Sequence, residues 1–266
     1  MVTFTRMQRG LRIRAARWLQ PAAPAERAVT AYYPQQPSCQ IPELWFILER
    51  LLGQREQGHF VEVGAYDGVF VSNTWGLAVR GWDGLMLEPV PAMAAQCRAN
   101  HAGHPKVQVV ERAIGVAGVN EVQLHIAGTL TTANADVLHE YEDLAWAQAS
   151  LTTEQIVVPC STLDDVLTEF SVPVGFDVLV VDVEGFETEV FSGLDLAAWM
   201  PKVLIVELAD VHPDLSHTAV KDAALGDSIL RNGYRVVFKD HVNTVFVREA
   251  IWREVFGALA ALTPPA

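Results

Sequence analysis

From residue 59 onward the chain repeats one unit: a short apolar run rich in β-branched residues, then a longer stretch with helical spacing. Strands separated by whole helices cannot pair as hairpins. They lie parallel, with the helices crossing over both faces of one sheet. HFVEV (59–63) opens the pattern, followed by a helix over 71–80 and the strand GLMLE (84–88). A helix over 91–100 leads to a third strand, KVQVVERAI (106–114), and EVQLHIA (121–127) alternates as a side hairpin strand. Residues 128–153 read as a polar and aromatic insertion without a strong strand. IVVPC (156–160) precedes a helix in STLDDVLTEF (161–170), with Ser161 as its cap and Asp164 in a capping-box position. DVLVVDV (177–183) is the most continuous apolar run, as a central strand buried on both faces requires, and KVLIVEL (202–208) is its neighbour. After a helix over 217–232, the strands 234–239 and 242–248 flank a tight Asp240–His241 turn, so they pair antiparallel.

The predicted fold is therefore α/β and Rossmann-like: a mostly parallel twisted sheet closed by a C-terminal antiparallel hairpin. A dinucleotide-binding sheet is usually parallel throughout. The nucleoside-binding sheet of class I methyltransferases carries a reversed last strand of this kind, an analogy of fold and not of function.

Charge narrows the partners. The net charge is −13, and residues 1–30 hold six arginines (Arg6, Arg9, Arg12, Arg14, Arg17, Arg27) against one acid, Glu26. The remaining 13 basic and 31 acidic residues leave −18 on the rest of the chain. A nucleic-acid partner is not expected, because phosphates need a basic face. The arm over 1–36 reads either as a solvated, frayed lead or as an amphipathic segment making peripheral contact with an anionic membrane. Residues 37–266 form the folded domain, with an acceptor-recognition insertion around 120–153. Cys39, Cys97 and Cys160 share no CxxC spacing, which argues against a disulfide framework or zinc site and suits a reducing, cytoplasmic setting. An organellar transit peptide would also be rich in arginine and poor in acids.

Two constellations carry the chemistry. The first strand runs into Glu62-Val63-Gly64-Ala65-Tyr66-Asp67-Gly68, where glycine lets the backbone approach a ligand at the strand ends. Glu88, twenty residues beyond Gly68, ends the second strand, where an acid accepts hydrogen bonds from a ribose diol. NAD and S-adenosylmethionine both fit so far. The acids Glu62 and Asp67 and the GxxxG spacing are poor company for a pyrophosphate and suit a ligand that presents an ammonium and a sulfonium. The second constellation, Asp182-Val183-Glu184-Gly185-Phe186-Glu187, puts carboxylates at the mouth of the same crevice. Burial there raises a carboxyl pKa and makes a usable general base. Glu207 ends the adjacent strand, with Asp210 and His212 just behind it.

These pieces resemble the FkbM-type methyltransferases, which use S-adenosylmethionine. The matching segments are PSCQIPELW (37–45), FVEVGAYDGVFVSNT (60–74), GWDGLMLEPVP (81–91), ERAIG (111–115), STLDDVL (161–167), DVLVVDVEGFETEVFSGL (177–194) and LIVEL (204–208), in family order. The resemblance implies O-methylation of a hydroxyl on a glycan or secondary metabolite. It implies a cofactor cradle of Glu62, Gly64, Ala65, Asp67 and Gly68, with Ser72 and Asn73 at the next helix start. It also places Glu88 at the ribose, Ala113 by the adenine, and Asp182 and Glu184 facing the methyl group and acceptor. Cys39-Gln40 and Pro42 depart from the family pattern, which bears on the N-terminal contact and not on the cofactor site.

The acceptor side stays open in sequence. Thr129, Thr131, Thr132 and Asn134 suit either a polar acceptor or the loop's own turns. Tyr141 and Trp146 suit a sugar face or plain packing, and His125 and His139 read as surface residues. Asp182 is the expected proton acceptor. The alternative is a magnesium ion held by Asp182, Glu207 and Asp210 or His212, with His212 or His241 as further bases. Rival readings are a catalytically silent S-adenosylmethionine-binding module and an NAD-dependent oxidoreductase. An oligomer is compatible with either.

Overall fold

The computed structural model describes residues 31–260 of the 266. The arginine-rich stretch, and the membrane contact expected of it, lie outside the described residues. In chain order the elements are α1 (Leu44–Leu52), β1 (His59–Val63), α2 (Trp75–Val79), β2 (Asp83–Leu87), α3 (Pro91–Asn100), β3 (Val107–Val110), β4 (Ala113–Ile114) and β5 (Glu121–His125). Then come α4 (Ala135–Glu142), β6 (Gln155–Ser161), α5 (Leu163–Glu169), β7 (Val178–Val181), α6 (Glu187–Ser192), α7 (Leu196–Trp199) and β8 (Val203–Glu207). The hairpin β9 (Tyr234–Lys239) and β10 (Asn243–Arg248) follows α8 (Ala219–Arg231), and α9 (Glu249–Ala260) ends the described chain.

Seven strands form one sheet in the order β3-β2-β1-β7-β8-β10-β9, parallel except for β10, which runs antiparallel to both β8 and β9. The expected hairpin is thus what inserts the reversed strand. Strand order turns back on itself between β1 and β7, and a crevice opens beyond the carboxyl ends of the strands at such a point. Both faces are covered, which explains why the strands read as continuous apolar runs. Val61, Leu179, Leu204 and Phe246 pack under Leu163, Leu167 and Leu225 on one face. Phe60, Val178, Ile205 and Val245 pack under Tyr33, Ile41, Leu44 and Trp82 on the other.

Several boundaries differ from expectation for identifiable reasons. The helix expected over 71–80 is only Trp75–Val79, because side chains compete for the preceding amides. Asp67 Oδ1 accepts from the Val69 and Phe70 amides, and Ser72 Oγ accepts from the Thr74 and Trp75 amides. The run 106–114 splits into β3 and β4, which belong to different sheets; β4 pairs with β6, and β6 with β5, in a three-stranded side sheet. Thr162, not Ser161, caps α5, accepting from the Asp165 amide at 3.1 Å. The insertion contains α4, capped by Asn134. The sequence pattern also hid α1, whose buried Leu44, Leu48, Leu51 and Leu52 form a single helical stripe. Tyr33, inside the expected arm, is buried, and its hydroxyl donates to the Gly53 carbonyl at 2.7 Å.

Candidate functional site

The crevice holds a cavity of about 490 Å³, walled by the loop after β1, the end of β2, the turn after β7, the end of β8 and the insertion. Its first wall begins at Gly64. The amides of Gly64 and Ala65 both donate to the Leu87 carbonyl, at 2.9 and 3.1 Å, which bends the chain sharply off β1. Gly64 takes φ +87°, and a Cβ on it would overlap the Asp182 carbonyl oxygen, so only glycine fits. Tyr66 follows in the left-handed region, φ +49°, and its amide donates to Glu88 Oε2 at 2.8 Å. The Val90 amide donates to Glu88 Oε1 at the same distance. Burial pushes the Glu88 carboxyl up to about 7 against the pull of these two amides. Each oxygen accepts one of these bonds and so keeps capacity for another, and Glu88 lines the cavity.

Gly64, Glu88, Ala113 and Asp182 line the cavity; Glu62, Ala65, Asp67, Gly68, Ser72 and Asn73 do not. These others hold the wall from behind. Glu62 is buried and accepts from Thr74 Oγ1 at 2.7 Å; loss of solvent pushes it up to about 8. Ala65 is buried in the core, Asp67 and Ser72 cap their turns, and Gly68 backs onto Cys97 and His101. The Gly68 carbonyl lies 2.9 Å from His101 Nε2. Asn73 lies 3.4 Å from Cys39 Sγ and donates to Gln40 Oε1 at 3.5 Å. That contact orients the Gln40 amide, which lines the cavity together with Asp182 and pulls its carboxyl down against the effect of burial. The segment PSCQIPELW contains Gln40, but nothing in the sequence marks it as a site residue.

The second wall is the turn after β7. Glu184 has φ +56° and Gly185 φ +88°, a costly conformation for glutamate that the surroundings must impose. Glu187 Oε1 accepts from the amides of Val183 and Gly185, at 2.9 and 3.3 Å. The insertion holds the turn from the other side. Thr132 Oγ1 donates to the Glu184 carbonyl at 2.6 Å, Asn134 Nδ2 donates to the Gly185 carbonyl at 2.9 Å, and the Tyr141 hydroxyl donates to Glu184 Oε2.

Asp182, Glu184 and Glu207 each bring one oxygen to within 4.8 Å of the others. Facing the cavity, they are half-buried as residues, yet loss of solvent at the carboxyls raises all three. Glu187 is pushed up to about 8 in the same way. No lysine or arginine pairs with any of these four among the described residues. Glu207 and Gln40 pull the Asp182 carboxyl back down, whereas Asp182 pushes Glu207 further up, so Asp182 is the one better kept as an anion. The three convergent oxygens also have a spacing that suits one divalent cation. Asp210 stands outside this group, paired with Lys239.

At the outer end, the rings of Tyr141, Trp146, His212 and His241 follow one another with centroids 5.8, 6.5 and 5.5 Å apart. His212 Nδ1 accepts from the Asp214 and Leu215 amides, both at 3.1 Å, so the neutral ring carries its proton on Nε2. In that state it is a donor and not a base. Thr129 and Thr131 line the cavity, although Thr131 also closes its own turn by donating to the Gly128 carbonyl at 2.7 Å. His125 contacts Gln155 on the side sheet and His139 contacts Glu142; neither lines the cavity.

No curated protein matches the sequence. Among solved structures, an O-methyltransferase from Bacillus cereus in complex with SAH is 14% identical, with 93% of this chain and 94% of that chain covered and a TM-score of 0.42. The O-methyltransferase TomG from Streptomyces achromogenes, in complex with SAM, is 15% identical over 76% of each chain, with a TM-score of 0.41. Monomeric WbdD is 14% identical over 77% of this chain but only 40% of its own length, with a TM-score of 0.39. At such scores these likenesses add nothing to the assignment. The model of the Methyltransferase FkbM domain matches residues 62–236, which contain both the β1 glycine turn and the carboxylate turn after β7. On that match, the chain belongs to the FkbM methyltransferase family.

Proposed function

We propose that the protein transfers a methyl group from S-adenosylmethionine to a hydroxyl of a glycan or secondary metabolite. The observation that carries this reading is a nucleoside-sized cleft with Glu88 at the end of β2 and an uncompensated carboxyl cluster opposite it. Such a cleft favours a ligand with positive charge and disfavours a pyrophosphate, which speaks against NAD. When bound, S-adenosylmethionine supplies a methyl group already activated on a positive sulfur. The chain's own residues then have two tasks, alignment and proton removal. Glu88 accepts from the ribose hydroxyls, Ala113 borders the adenine, and Gly64 allows the close approach between them. Asp182 takes the acceptor's hydroxyl proton, with Gln40 and Glu207 holding its orientation. Glu184 faces the acceptor from the insertion side.

A second reading of proton removal rests on the convergent oxygens of Asp182, Glu184 and Glu207. A divalent cation held there would acidify the hydroxyl directly. No helix among the described residues is long and apolar enough to cross a membrane. A cytoplasmic setting, with reversible membrane contact through the N-terminal arm, fits the charge distribution. Incubation with isotopically labelled donor and candidate glycan and metabolite pools, read by mass spectrometry, tests the function. Label in an ether-linked methyl supports it. Binding of S-adenosylhomocysteine without any turnover would leave a silent module, and binding of NAD in its place would make the protein an oxidoreductase.

A further inference from the structure

The loop between β1 and α2 holds a valine in a conformation that valine rarely takes. Val71 has φ +53°, and with two branches on its Cβ it is a steric outlier there. It stands third in the turn Val69–Ser72, closed by the Ser72 amide donating to the Val69 carbonyl at 3.4 Å. Positive φ at that place in a turn usually selects glycine. Strain of this kind persists only where the surroundings impose it, and it gathers at functional sites. Val71 lines the cavity, whereas its neighbours Phe70 and Ser72 do not.

What imposes it comes from far away in the chain. The amides of Val69, Phe70 and Ser72 are met inside the loop, by Asp67 and by the Val69 carbonyl. The Val71 amide instead donates to Ser38 Oγ at 3.1 Å, across 33 positions. Ser38 belongs to a strap over residues 33–41 that is well anchored. Tyr33 and Ile41 are buried, and Gln35 Nε2 donates to the Ile41 carbonyl at 3.1 Å. The Pro34 carbonyl packs so close to Gly76 in α2 that a Cβ there would overlap it. Two residues past Ser38, Gln40 lines the cavity with Asp182 and accepts from Asn73 of the same loop at 3.5 Å. We propose that Ser38 is a positioning residue for the methyl donor: its hydroxyl holds Val71 left-handed, which keeps the valine in the cavity wall against the donor's amino-acid portion. This rests on the methyltransferase reading above. Glu88 and Ala113 mark the nucleoside end of the cavity and Asp182 the reacting end, and the strap brings Gln40 and Val71 to the latter. A branched apolar side chain there packs on the donor's methylene groups and keeps water from the sulfonium.

The test is Ser38→Ala in the full chain, read by calorimetry with S-adenosylhomocysteine and with adenosine, which lacks the amino-acid portion. We expect affinity for S-adenosylhomocysteine to fall about fivefold or more, while affinity for adenosine stays within about twofold. Ser38→Thr keeps the hydroxyl and should stay within about twofold of wild type for both. Glycine needs no holding at positive φ. In a Val71→Gly background, which has already lost the side chain, Ser38→Ala should therefore cost no further affinity. Unchanged affinity in Ser38→Ala, equal weakening of both ligands, or losses that multiply in the double variant overturn the proposal. If Ser38→Ala fails to fold, Val71→Gly decides: a loss confined to S-adenosylhomocysteine supports the wall, and unchanged binding overturns it. Wild-type protein that binds no S-adenosylhomocysteine overturns the methyltransferase reading and this role with it, whereas a negative result in the variants alone leaves that reading standing.

Discussion

Glu88 and Tyr66 are joined across the cleft's first wall: the Tyr66 amide, on a left-handed residue, donates to Glu88 Oε2 at 2.8 Å. One carboxylate thus shapes the β1 loop and faces the cavity together. Glu88→Ala should weaken S-adenosylhomocysteine binding by about 1.5–3 kcal/mol, the loss of a charged hydrogen-bond acceptor. Calorimetry showing unchanged affinity would refute the ribose contact.

The proton's destination separates two chemistries. With Asp182 as the acceptor, Asp182→Asn lowers kcat by about 10²–10⁴-fold while donor binding persists, and a chelator has no effect. If the three convergent carboxylates hold a cation, a chelator abolishes activity and magnesium or manganese restores it. Full activity in both the variant and the chelated enzyme sinks both versions.

Buried acids tie stability to pH. Glu62 and Glu187 stand at about 8 in the folded protein, against an ordinary 4.5. The folded state keeps protons that the unfolded chain releases, so their stabilisation is complete below about 4.5 and is lost as pH rises through about 8. Urea unfolding of the ligand-free protein should show stability falling across that window, by at most about 1.4 kcal/mol per pH unit for each group. Glu62→Gln, which can still accept from Thr74, should flatten the slope. A slope identical to wild type would show that Glu62 is ionised in the fold.

Gly64 and Gly81 both have positive φ, +87° and +77°, but only Gly64 abuts backbone; nothing lies within 4 Å of a Cβ built on Gly81. Gly81→Ala should cost about 1 kcal/mol, the strain of a left-handed alanine. Gly64→Ala should cost more and abolish S-adenosylhomocysteine binding, because the loop after β1 must shift away from Asp182. Equal cost and retained binding would show that the overlap is relieved without moving the cleft.

Sequence alone determined the sheet and the direction of its strands. Strand runs such as DVLVVDV and KVLIVEL are continuous in apolar character because both of their faces are buried, and their spacing leaves room only for parallel pairing. The short turn read at Asp240–His241, which in the structure also takes in Val242, dictated the antiparallel hairpin. Glycine turns and acids at strand ends located the cleft for the same reason: residues costly to place there are legible against an apolar background. The tertiary structure decided what depends on donors distant in sequence. Glu62, Asp67 and Ser72 looked like cavity residues, yet Thr74 and nearby amides turn them into supports behind the wall. Thr132 donates to the Glu184 carbonyl and Tyr141 to the Glu184 carboxylate across 52 and 43 positions, respectively. No local periodicity records such contacts, because a hydrogen bond is set by where folded segments meet and not by their order in the chain.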